Sequence, residues 1–470
     1  MRNLSEFCLV IPMEIALFFV LGCGGGASPN QVHNEWTWVS GSTTFDEQGV
    51  YGTQGASSAA NIPSARELSS CWTDSAGNFW FFGGTITPTG GIGVDSQGND
   101  LWKYDTTSQQ WTWVSGSSAA NQPGIYGTRS VASKFNVPGA RESSSSWTDS
   151  AGNFWLFGGI GYDSTGTYAG DMNDLWKFNS ADDTWTWVSG SNLNEINSSM
   201  LQGMYGIQGT PNPANLPGMR DGASEWIDRN GNLWLFGGMG FDSSGTPGAL
   251  NDLWEFNPAT NMWTWISGSS TVYATGVYGT QGSPAATNVP QARERAAQWT
   301  DNTGSLWLFG GIGWSSAMAG GLNDLWKFDP GAGMWTWMSG SKTLNATGVY
   351  GTLSMPAVSN VPGGRQRSIS WTDNSGNFWL YGGMMNGGGD FTDVWKYSPA
   401  TNMWTWIGGT ITPEFTVYGT QGIPSASNIP GKRTEAASWM DKNGDLWMFG
   451  GLREETTGSG LSNDLWKYQP

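Results

Sequence analysis

Histidine is all but missing from this sequence and cysteine is scarce: one His and three Cys in 470 residues. That scarcity argues against most metal centres built on imidazole or thiolate, and against Ser-His-Asp nucleophilic catalysis. Charge is thin too, at 13 %, and it runs acidic, with a formal net charge of −17. No basic block is present to neutralise phosphates, so no nucleic-acid partner is expected. What is abundant is glycine (70), proline (21) and tryptophan (31). Gly and Pro at this density break helices, which disfavours helical bundles and coiled coils. Aromatics at 14 % argue against a wholly disordered chain.

The apolar run at residues 15–22 ends at Cys23 and is too short to span a bilayer. Val20-Leu21-Gly22-Cys23 resembles a bacterial lipobox, which implies lipidation at Cys23 after removal of residues 1–22 as a signal peptide. Residues 23–34, rich in Gly, then read as a flexible tether. The expected location is the bacterial cell envelope, lipid-anchored at the outer membrane or surface, or secreted. Cys8 would leave with the signal and Cys23 would carry lipid, so Cys71 stands alone and no intramolecular disulfide is available.

Residues 35–470 are internally repetitive, and repeats override the length-based expectation of several domains. Trp-Thr-Trp begins at Trp36, Trp111, Trp185, Trp263, Trp335 and Trp404. Gly-Gly doublets close at Gly84, Gly159, Gly238, Gly311, Gly383 and Gly451. An Asp-Leu/Val-Trp block starts at Asp100, Asp174, Asp252, Asp324, Asp393 and Asp464. Arg66, Arg141, Arg220, Arg293, Arg365 and Arg433 are each followed six residues later by Trp. Each unit reads as four strands: from the Arg to Trp-Thr-Asp, an apolar run such as Phe154-Trp155-Leu156-Phe157, the Asp-Leu-Trp block, and Trp-Thr-Trp. Asp149 to Gly152 marks the tight hairpin between the first two. The last unit lacks its fourth strand and the first Trp-Thr-Trp is an orphan. The fold class expected is therefore all-β: a six-bladed β-propeller of four antiparallel strands per blade, its ring closed by the N-terminal strand.

Phe157-Gly158-Gly159 followed by the aromatic pair Trp176 and Trp185 makes the chain resemble the kelch family of propellers, over all six repeats. The kelch unit is about 50 residues; these are longer, and the surplus lies in the fourth-to-first connections. Each of those connections carries a Tyr-Gly pair (Tyr51, Tyr126, Tyr205, Tyr278, Tyr350, Tyr418) and ends in Asn-Ile/Val/Leu-Pro-x-x-Arg. Long loops on a rigid scaffold carry function disproportionately, so binding is assigned to the long-loop face. Galactose oxidase-like kelch proteins use copper with His and a Cys-Tyr pair; His33 and Cys71 do not supply that set. The sialidase Asp box has a different spacing from Ser146–Gly152. A six-bladed kelch sialic-acid mutarotase shares only the ring.

The six repeated Arg admit two readings, a positive ring for carboxylates or structural ion pairs between blades. A true site should break the symmetry. Two residues after each Arg the chain reads Leu68, Ser143, Gly222, Arg295, Arg367 and Glu435, so a channel-mouth pocket is placed at Arg295, Arg367 and Glu435. Trp314 is the one Trp outside the five repeat positions and the one candidate exposed aromatic. Turns at Asp95, Asp163 and Asp242 hint at Ca²⁺ but lack EF-hand spacing and read as Asx turns. No cofactor or metal is expected. The functional expectation is a monomeric, non-catalytic propeller binding a protein or glycan. The alternatives are a sugar-acid epimerase or mutarotase at the channel mouth, and a structural envelope component.

Overall fold

The computed structural model describes residues 34–88, 96–314, 318–410, 412 and 414–470. The signal segment, Cys23, most of the tether and Asp95 lie outside the described residues. Among the described residues the chain is all-β, and six four-stranded antiparallel sheets recur along it in a propeller-like architecture. The second unit is representative: Ser145–Thr148, Phe154–Phe157, Leu175–Asn179 and Thr184–Ser189 pair in chain order. The apolar second strand is buried at every position, because both of its faces meet neighbouring sheets. The sixth sheet takes its outer strand from the start of the chain: Trp36 faces Tyr468 and Trp38 faces Trp466.

The hydrophobic core lies between sheets rather than within one. Phe154, Trp176 and Trp185 of the second unit pack with Trp72 and Trp80 of the first. Phe79 and Trp102 of the first unit pack with Trp439 and Trp447 of the last. Indole N–H groups cross the same seams: Trp147 Nε1 donates to the Trp234 carbonyl at 3.2 Å, and Trp439 Nε1 to the Trp80 carbonyl at 3.1 Å. Most indole N–H groups find an acceptor while the rings supply large buried area; those of Trp185, Trp263, Trp335, Trp371 and Trp404 are buried without one.

The structure corrects the expected first strand. Arg141–Glu142 is a separate short strand, hydrogen-bonded to Ile160–Tyr162, which in turn pairs with Ala169–Asp171. The chain breaks at the next residue and resumes as the innermost strand at Ser145. The break is conformational: Leu68, Ser143, Gly222, Arg295, Arg367 and Glu435 all have φ between 55° and 59°. Five of these six residues carry side chains in a left-handed region that costs them roughly 1–2 kcal/mol.

After each Trp-Thr-Trp the chain turns sharply against the neighbouring strand. At Gly268 (φ +85°) a Cβ would sit 2.0 Å from the Asn251 carbonyl oxygen. Gly268→Ala is expected to cost more than about 2 kcal/mol, combining left-handed strain with a backbone clash. Thermal unfolding of the variant beside the parent checks this.

Candidate functional site

The six repeated Arg are placed first. All are buried, at 0–1 % exposure. Arg220 Nη1 and Nη2 donate to Asp252 Oδ1 and Oδ2 at 2.7 and 2.8 Å, and Nη1 also donates to the Gly237 carbonyl at 3.0 Å. The same carboxylate accepts from Tyr205 Oη at 2.7 Å and from Trp254 Nε1 at 2.7 Å. Equivalent pairs join Arg66–Asp100, Arg141–Asp174, Arg293–Asp324, Arg365–Asp393 and Arg433–Asp464. The pairing is therefore within each unit, not between blades. The forks are filled by these carboxylates, so these six Arg offer no open face to a ligand.

The motif residues of the long connections are used in the same way. Their Tyr hydroxyls reach the buried Asp. Asn215 Nδ2 donates to the Thr210 carbonyl and, across the unit, to the Trp263 carbonyl at 3.0 Å. Gly209 N–H donates to the Trp265 carbonyl at 2.8 Å. The connection thus lies along the outermost strand and covers an edge that would otherwise present unpaired backbone. Much of each long connection is spent on this edge.

What remains is the centre. A cavity of about 390 Å³ is lined by the residues that follow each buried Arg, from the left-handed position inward, including Ser143, Glu225, Arg295, Gln298, Arg367 and Glu435. Left-handed backbone at the rim turns each N–H toward the neighbouring unit: Ser143 N–H donates to the Leu68 carbonyl, Arg295 N–H to Gly222 and Arg367 N–H to Arg295. The backbone is near-symmetric; the side chains are not. Arg295 is held by Glu435 (3.0 Å), Glu294 (3.2 Å) and Asp221 (3.6 Å). Arg367 Nε lies 3.1 Å from the same Glu435 oxygen. The three residues singled out by broken symmetry are thus brought together.

Acids crowd behind this rim. Burial, then the charge of Glu435, pushes the Glu67 carboxyl up to about 7. Burial also lifts Asp221 to about 7 against the pull of Arg295, with Glu294, Glu142 and Glu435 adding. Glu142 accepts a hydrogen bond from the Thr85 hydroxyl. Deeper in the cavity, burial raises Glu225 to about 8. Glu225 and Gln298 were missed by sequence reasoning. The available signal was the fifth residue after each Arg, which is Cys or Ser in the other four units.

These shifts fix a pH dependence. A carboxyl raised in the folded state takes up a proton on folding between its unfolded value, near 4, and its folded value. Its contribution is complete below pH 4 and falls as pH rises to the folded value. Carboxyls that the fold holds low, such as Asp100 with Arg66, act only at lower pH. Unfolding free energy is therefore expected to decline from pH 5 to 8. Glu225→Gln should remove up to about 1.4 kcal/mol per pH unit of that slope, as urea titrations at several pH values would show.

The other sequence candidates are placed as follows. Trp314 is half-buried, and its Nε1 donates to Glu294 Oε1 at 3.2 Å. It packs locally rather than standing free. Asp163 Oδ1 accepts from the backbone N–H groups of Thr165 and Gly166, and Asp242 Oδ1 from those of Ser244 and Thr246. Both are Asx turns filled by donors. Among the described residues no group of three or more His, Cys, Asp or Glu is arranged to hold a metal ion. Compared with family models and with curated proteins, the chain matches none.

Proposed function

We propose that the chain is an extracytoplasmic, kelch-like six-bladed propeller that binds a protein or glycan without catalysis, at the long-loop face centred on the channel mouth. The single observation that carries the binding role is the asymmetric cluster of Arg295, Arg367 and Glu435 on a near-symmetric backbone. Symmetric parts of a repeat are accounted for by packing; departures from symmetry around a cavity are not.

Closure of the ring is supported at several levels. The first and last strands pair. Gly451 N–H donates to the Arg66 carbonyl at 2.7 Å, and Leu68 N–H to the Glu435 carbonyl at 3.0 Å. The last and first sheets share a core cluster. The lipid anchor at Cys23 is part of the same proposal, and intact-mass analysis tests it: an unmodified N-terminal segment would remove it.

A second reading, a sugar-acid epimerase or mutarotase at the same mouth using Arg295, Arg367 and Glu435, is favoured by the Glu435 carboxylate, which lines the cavity between the two guanidinium groups. Glycan and protein arrays probed with residues 24–470 separate the two. Binding without turnover supports the first reading. Turnover of a sugar acid, abolished by Arg367→Ala, replaces it with the second. No binding to either array removes the binding role.

A further inference from the structure

The central cavity has three properties that together narrow its ligand, given the binding role proposed above, on which this inference rests. First, polar groups without protein partners meet there. Arg367 lines the cavity with a quarter of its side chain exposed, and its Nε, 3.1 Å from Glu435 Oε1, has no hydrogen-bond partner. The Ser143 hydroxyl lines the cavity, buried and with no hydrogen-bond partner. Just behind the rim, Gln366 is 5 % exposed and its Oε1 is likewise unpartnered. Buried polar atoms are rarely left this way without a ligand or water to complete them.

Second, the charge is nearly balanced on the cavity surface and negative behind it. Arg295 and Arg367 face Glu435, while Glu225 deeper in is held protonated at neutral pH by burial. Glu294 and the partly protonated Glu67 and Asp221 stand behind, in a chain of net charge −17. An entering carboxylate would find Arg295 already taken by three acids and would approach a negative field. A hydroxyl brings no charge, donates to carboxylate and amide oxygens, and accepts from a guanidinium.

Third, the cavity is small and polar. About 390 Å³ is at the low end of ligand pockets. No aromatic side chain lines it, so stacking is not available and selection falls to hydrogen bonds.

We infer that the channel takes a small neutral polyol, of the size of one sugar ring, with the Arg367 fork and Ser143 at the mouth and Glu225 and Gln298 deeper in. Neutral hydroxyl-bearing ligands complete the unpartnered groups at no cost in charge, whereas a sugar acid does not.

The test uses the full-length protein with three probes of one ring size and different charge: D-glucose, D-glucuronate (carboxylate at C6) and D-glucosamine (amine at C2), titrated by ligand-observed NMR at pH 7 and low salt. Saturable glucose binding is expected, with glucuronate at least tenfold weaker and glucosamine no tighter. Arg367→Gln and Ser143→Ala should each weaken glucose at least fivefold with an unchanged melting temperature. Tighter glucuronate binding would make this an anion site, and tighter glucosamine binding a cation site; either overturns the assignment. So does the absence of glucose binding, which leaves a solvent channel. An array partner that binds parent and Arg367→Gln equally, with no glucose binding, sinks the polyol assignment while the binding role at the long-loop face stands.

Discussion

Asp252→Ala is expected to lower the unfolding free energy by about 3–5 kcal/mol, the range for breaking one side of a buried ion pair. The physical reason is the number of groups that one carboxylate completes. Arg220, Tyr205 and Trp254 all donate to it, and none has water to turn to. Alanine leaves a guanidinium at 1 % exposure without its counter-charge and orphans two further donors. The outcome is specific to the unpaired state. Replacing Asp252 and Arg220 together by Leu and Met removes the charge as well as its partner, and should cost less than Asp252→Ala alone. Urea unfolding of the two singles and the double measures this. Equal losses for Asp252→Ala and for breaking a half-exposed pair such as Lys432–Glu454 would show that the buried cluster contributes nothing special. Because the cluster recurs in six units, the same change at Asp174 or Asp324 should give a similar loss.

The second large effect concerns the N-terminal strand Glu35–Ser40. Trp36 is 7 % exposed and packs on Tyr468 and Tyr381 at ring centroid distances of 4.8 and 5.1 Å. Trp36→Ala is expected to cost about 3–5 kcal/mol, as for other buried Trp. Deleting residues 1–41 removes the whole outer strand of the sixth sheet. The strand Leu465–Gln469 would then present an unpaired edge flanked by exposed aromatic surface, which invites pairing with a second chain. The truncated chain should melt at lower temperature and self-associate on size-exclusion chromatography, and a peptide spanning residues 34–42 should restore both properties. A monomeric truncation with an unchanged melting temperature would contradict closure through this strand.

Much of the architecture was readable because period and punctuation agreed. Trp-Thr-Trp alternates as a strand must, and Thr186 and Trp187 fall opposite Lys177 and Trp176 in the pairing. Gly-Gly and Asp-x-x-Gly mark the ends of strands where the backbone requires them. The pairing of the first strand with the last was legible because one copy lacked what another had in excess. The Arg and the long connections were harder. Spacing shows that Arg141 recurs, but not that Asp174, 33 residues on, closes over it. It shows a Tyr in every connection, but not that its hydroxyl points inward to that same carboxylate.

The sequence by itself determined the all-β class, the six-fold repeat and the positions where the repeat is broken, because local alternation and turn chemistry act over a few residues and leave a periodic trace. Tertiary structure alone decided which polar residues are spent on the scaffold and which are left facing the cavity. That choice depends on partners tens of residues apart meeting in a water-free interior. There an ionised carboxylate without its Arg, or an Arg without its carboxylate, carries a heavy cost.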